Sequence, residues 1–253
     1  MTIMGPGSQG DDVRSRLAIA LDVDDLVAAV RLARRMRPYF GVAKVGLELF
    51  AAAGPEAISA LTVEGYRVFV DLKLHDIPNT VASASKVLGA LGVSYATVHL
   101  AGGLAMVAAA TEAMTAGAAS AGAPEPCVLG VTVLTSAPEA PADVLAARLE
   151  VAKAGGCGGI VCAAGDLGVV RRINPQLLAV VPGIRMPGAR QDDQARTATP
   201  GEAIRAGAGM IVIGRAVSRA GDPEAVAGLI FAEVSDVLRQ AQPVAGGAAG
   251  PEA

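Results

Sequence analysis

From residue 16 onward, eight short apolar runs alternate with longer stretches of helical period, and this alternation restricts the chain to folds built on a parallel sheet. The runs occupy 16–22, 42–48, 67–73, 95–100, 127–134, 159–163, 177–181 and 210–214. Helices are predicted between and after them at 25–39, 55–64, 78–91, 103–116, 142–154, 166–173, 200–206 and 223–239, and several of these open on Pro or an acidic residue, as helix starts do. Eight βα units in a chain of 253 residues predict a (β/α)8 TIM barrel filling 16–239 as one catalytic domain. An open doubly wound sheet uses the same alternation, but no GxGxxG follows the first strand. Residues 1–15 and 240–253 are expected to be disordered tails. The first holds Gly and Asp with no signal-peptide pattern, and the second, ending GGAAGPEA, has too little bulk to pack.

Composition narrows the function classes. The chain is 52% hydrophobic but only 3% aromatic, which suits small-residue packing of helices on a sheet. A net charge of −3 with no basic cluster offers nothing to nucleic acid or an anionic membrane. The Ala- and Gly-rich stretch 101–123, interrupted by Glu112, reads as a barrel helix rather than a membrane span. Three cysteines without a CxxC pair and two histidines predict reduced core thiols, a cytoplasmic protein and no metal site.

The chemistry concentrates in Asp71-Leu72-Lys73-Leu74-His75-Asp76-Ile77-Pro78-Asn79-Thr80, directly after Arg67-Val68-Phe69-Val70. In a regular strand Val68, Val70, Leu72 and Leu74 would form one apolar row, leaving Asp71 and Lys73 on the other face about 7 Å apart. Buried charges of this kind need partners. The first run puts Ala18, Ala20 and Asp22 on one face, and the second puts Lys44, Gly46 and Glu48 on one face. Barrel enzymes work at the C-terminal ends of their strands, so Asp22, Lys44, Asp71 and Lys73 would meet at one mouth with alternating charge. Only four of the 21 basic residues are lysines, and two of them fall here. Lysine can give up a proton where arginine cannot, which points to proton transfer. His75 reads as a structural imidazole, while His99 shares a strand face with Tyr95 and Thr97, would point inward with them, and is not selected for catalysis.

The run DLKLHDIPNT resembles the signature of the orotidine 5′-phosphate decarboxylase family. The likeness extends over 16–239 through Asp22 in LALDV, Lys44 in AKVGLELF, Thr135 in VTVLTS, Arg185 in VPGIR, Gln194 in DDQAR and Gly214-Arg215 in IGRAV. It implies cofactor-free and metal-free conversion of orotidine 5′-monophosphate to uridine 5′-monophosphate, the last step of de novo synthesis of that nucleotide. On this likeness Lys73 is the proton donor to C6, Asp71 stands beside the departing carboxylate, and Lys44 and Asp76 complete the charged array. Asp22 and Lys44 hold the ribose, Thr135 the base, and Arg185, Gln194, Gly214 and Arg215 the phosphate end. Asp76, Ile77 and Thr80 reach into a neighbouring subunit's site, so a homodimer is implied.

Barrels often bind phosphate in the loops after strands seven and eight, where Arg185 and Gly214-Arg215 fall. A sugar-phosphate relative with the same DxK core that uses magnesium is the nearest enzymatic rival, and a noncatalytic barrel that senses uridine monophosphate is the rival from another class. The IPNT continuation and the DDQAR stretch stand against the first. The intact Asp71, Lys73 and Asp76 stand against the second.

Overall fold

Each strand pairs in parallel with the next in chain order, and the last returns to the first. The closed barrel consists of β1 (Leu17–Ala20), β2 (Val42–Val45), β3 (Arg67–Leu74), β4 (Tyr95–His99), β5 (Cys127–Val131), β6 (Gly159–Val161), β7 (Leu178–Val181) and β8 (Met210–Ile213). The computed structural model describes residues 7–137, 139–186 and 196–241. Closure is made by Leu17, Ala18 and Ile19 of β1 in register with Ile211, Val212 and Ile213 of β8. The eight strands and the barrel are as expected, and closure rules out the open sheet.

The outer layer is α1 (Gly7–Ser15), α2 (Leu26–Met36), α3 (Leu47–Ala53), α4 (Pro55–Val63), α5 (Pro78–Ala90), α6 (Gly103–Ser120), α7 (Ala142–Ala154), α8 (Leu167–Ile173), α9 (Pro200–Arg205), α10 (Arg215–Ser218) and α11 (Pro223–Ala241). Their starts follow local chemistry. Asp25 caps α2 by accepting the Ala28 N–H at 2.6 Å, and Thr199 and Glu202 form a reciprocal capping box on α9.

Three elements depart from expectation. Gly7–Ser15 is a helix, not part of a disordered 1–15 tail, because Val13 is buried and the last turn is tied down. The Arg14 carbonyl accepts the Gly41 N–H at 2.8 Å, and the Ser15 carbonyl accepts from Arg67 Nη2 at 2.9 Å. The second strand stops at Val45 rather than residue 48, since extended Gly46 caps α3 and its carbonyl accepts the Phe50 N–H. Glu48 therefore lies on a helix. Third, α10 follows β8 directly. Residues 242–253 lie outside the described residues.

Two apolar cores result. Ala18, Ala20, Val42, Phe69, Tyr95 and Leu129 belong to the cluster inside the barrel, while Leu17, Ile19, Leu21, Ala43, Val45 and Val68 pack outward under the helices. This alternation places Asp22 and Lys44 in line with interior side chains, above the small residues Ala18 and Ala20.

By length and a mean hydropathy of 1.2, the stretch Leu100–Ser120 is apolar enough to pass for a membrane span, yet it packs as a barrel helix, as expected. Its position explains the apolarity. Met106, Val107, Ala110 and Met114 of α6 are buried against the barrel, and α5 packs along it. At that crossing a Cβ on Gly89 would collide with the Met114 carbonyl oxygen, and one on Gly117 with the Lys86 carbonyl oxygen. Backbone cannot yield as a side-chain tip can. Gly117→Ala is expected to cost about 1–3 kcal/mol. In thermal unfolding each kcal/mol lowers the midpoint by about 2–4 °C for a domain of this size.

Candidate active site

The regular strand expected at Asp71 and Lys73 is broken. On β3, Val70 and Leu74 are in register with Ala96 and Val98 of β4, so a four-residue step faces a two-residue step. Lys73 has φ 51°, the only positive φ outside glycine among the described residues. The bulge brings the ends of the two side chains together, with Lys73 Nζ 2.9 Å from Asp71 Oδ1. Leu72 and Leu74, expected in a buried apolar row, are only half-buried.

The charges then alternate across three strand ends. Lys44 Nζ donates to Asp22 Oδ1 at 2.9 Å and lies 3.9 Å from Asp71 Oδ2. Lys44 is 8% exposed, so its ammonium depends on these two carboxylates. Gly46 leaves the space they need, because a Cβ there would stand 2.7 Å from Asp22 Oδ1 and 3.0 Å from Lys44 Nζ. Thr97 of β4 lies beneath the array, accepting the Lys73 N–H at 2.8 Å and donating to Asp71 Oδ1 at 3.0 Å.

Asp22, Lys44, Asp71 and Lys73 form the floor of a cavity of about 370 Å³ whose lining also includes Thr135, Arg185, Gly214 and Arg215. The volume suits a small ligand. Arg185 is held by its backbone N–H, which donates to the Ala198 carbonyl at 3.0 Å, beside the Ile184 to Ala198 bridge. Arg196 gives Nη1 to both oxygens of buried Asp166 at 2.7 Å, which anchors the chain two residues before Ala198. Arginines on one side and paired lysines and aspartates below can hold an anionic tail and deliver a proton deeper in.

The family model described as orotidine 5′-phosphate decarboxylase / HUMPS family matches residues 15–230. The chain belongs to the orotidine 5′-phosphate decarboxylase family. It is 42% identical over 241 residues to the orotidine 5′-phosphate decarboxylase of Moorella thermoacetica, covering 88% of this chain and 94% of that one. With that of Anaeromyxobacter sp. strain K the identity is 46% over 228 residues, covering 86% and 97%. The crystal structure of orotidine 5′-phosphate decarboxylase from Lactobacillus acidophilus has a TM-score of 0.70 at 34% identity, covering 86% of this chain and 98% of that one. The reaction that goes with this membership is conversion of orotidine 5′-monophosphate to uridine 5′-monophosphate, a step of pyrimidine biosynthesis.

Not every residue singled out in this decarboxylase-family chain reaches the cavity. Asp76, Ile77 and Thr80 are exposed and do not line it; Asp76 Oδ1 accepts the Ile77 N–H at 2.6 Å. Gln194 lies outside the described residues. The cavity adds Glu48, Ser218 and Arg219, which the sequence reading did not select. Glu48 had a signal in sharing a face with Lys44, whereas Ser218 and Arg219 had only their positions just past β8.

His75 and His99 stack with ring centroids 5.4 Å apart. Burial, then His75, Arg148 and Lys73, hold the His99 pKa below its ordinary value, while its Nδ1 accepts the Ala101 N–H. His99 is thus a neutral acceptor that shapes the turn after β4. Burial also pushes Cys127 up to about 11 and Cys157 and Cys162 up to about 12. Nucleophilic attack and metal ligation need thiolate, so all three act as core residues.

Proposed function

We propose that this chain decarboxylates orotidine 5′-monophosphate without metal or cofactor, through a C6 carbanion protonated by Lys73, as a cytoplasmic homodimer with shared sites. The alternating Asp22, Lys44, Asp71, Lys73 array on the cavity floor carries the proposal. The site carboxylates already have ammonium partners, which leaves charge balance to the lysines rather than to a cation.

The substrate phosphate lies toward Arg185, Gly214 and Arg215, the ribose hydroxyls at Asp22 and Lys44, and the base at Thr135, while the phosphate role assigned to Gln194 rests on the family resemblance alone. This sets the C6 carboxylate beside Asp71. The C6 to carboxylate bond breaks, carbon dioxide leaves, and its electron pair stays on C6. A proton from the Lys73 ammonium then bonds to C6, and the resulting amine regains a proton from solvent. Repulsion between Asp71 and the substrate carboxylate at about 4 Å is worth about 4 kcal/mol at a surface-like dielectric, whereas enzymatic accelerations need about 8–23 kcal/mol. Repulsion is therefore the smaller part. Stabilisation of the developing carbanion by the preorganised Lys73 ammonium has to supply more.

Sharing of sites is supported by the exposure of Asp76, Ile77 and Thr80 on the rim beyond their own cavity, with the Ile77 side chain offering apolar surface to a partner. Such a site is completed by the partner's loop. Loss of orotidine monophosphate absorbance, followed with excess EDTA, tests the reading. Full turnover is expected. Turnover that fails with EDTA and returns with magnesium would overturn the metal-free reading, and no turnover in either condition sinks the assignment.

A further inference from the structure

We propose that Thr97 is the positioning residue for the proton donor, holding Lys73 at both its backbone and its ammonium. This rests on the role proposed for Lys73. The bulge in β3 arches Asp71, Leu72 and Lys73 away from the β4 ladder and strips the Lys73 N–H of the carbonyl partner a regular strand would give it. The Thr97 hydroxyl fills that gap. It accepts the Lys73 N–H at 2.8 Å and directs its single proton to Asp71 Oδ1 at 3.0 Å. The same oxygen accepts from Lys73 Nζ at 2.9 Å, which closes a ring from the backbone of Lys73 back to its side-chain tip.

Two features make the hydroxyl hard to replace. Thr97 is 1% exposed, so water has no ready access to its place. Lys73 also has φ 51°, a conformation a non-glycine residue keeps only when its surroundings hold it there. Without the hydroxyl, a part-buried N–H is unpaired and the Asp71 carboxylate can turn away. The ammonium then loses the geometry in which its proton faces C6, and displacements of about 1 Å cost on the order of a hundredfold in rate.

The test compares Thr97→Val, which keeps the shape and removes the hydroxyl, with Thr97→Ser, which keeps the hydroxyl. Lys73→Ala is measured alongside. Thr97→Val is expected to lower kcat by about 10- to 100-fold with KM within about threefold of wild type. Thr97→Ser is expected to hold kcat within about fivefold of wild type. A merely structural role would not divide the two variants in this way. Thr97→Val with kcat within about twofold of wild type, a loss confined to KM, or a Thr97→Ser loss as deep as that of Val would each overturn the inference. If Thr97→Val fails to fold, Thr97→Ser decides alone: kcat within about fivefold supports the hydroxyl's role, and a deeper loss overturns it. A Lys73→Ala variant that still turns over would fail the reading of Lys73 itself. An inactive Lys73→Ala beside an unaffected Thr97→Val would fail only the part assigned to Thr97.

Discussion

Lys73→Ala is expected to lower kcat for decarboxylation by about a thousandfold or more while the protein stays folded. General acid catalysis alone contributes about 10²–10⁴ in rate, and one preorganised group facing developing charge about 10²–10³. On the proposed mechanism both contributions come from one ammonium. The side chain is a third exposed at the cavity floor, so its removal opens no hole in the core. Asp71 keeps Lys44 at 3.9 Å, a longer and weaker contact than the 2.9 Å bond it loses. Orotidine monophosphate absorbance gives the rate, and circular dichroism checks the fold. A variant within tenfold of wild type would move the proton donor elsewhere.

Asp76→Asn is expected to be nearly as damaging, but in the partner's site. The arrangement predicts complementation: Lys73→Ala and Asp76→Asn, each inactive, regain turnover when unfolded together and refolded. A mixed dimer of the two variants holds one site with neither substitution, so random pairing returns about a quarter of wild-type activity. Recovery at the level of either variant alone would mean that Asp76 serves its own barrel.

Much of this site could be read in the sequence because the interior face of a barrel strand is set by a period of two. Ala18, Ala20 and Asp22 alternate with Leu17, Ile19 and Leu21, and the structure puts Ala18 and Ala20 in the inner core, with Asp22 at the cavity beyond them, and the three larger residues in the outer core. The same logic placed Lys44. It failed on β3, where regular pairing was assumed and the bulge breaks it after Val70. Thr97 showed the limit from the other side. Its face on β4 was legible, but its partners depend on a distortion in a different strand. Helix α1 escaped notice because one buried side chain, Val13, and two carbonyls that accept from distant residues hold down a segment whose composition reads as a tail.

The left-handed backbone at Lys73 has an evolutionary consequence. An L-residue in that conformation sits about 1–2 kcal/mol above its relaxed form, and glycine would be free of the strain. Random drift toward sturdier sequences thus has a downhill step at the very codon the proposed chemistry most requires. Purifying selection on turnover must hold that codon in place, and a laboratory screen that rewards heat resistance alone would have every reason to discard it.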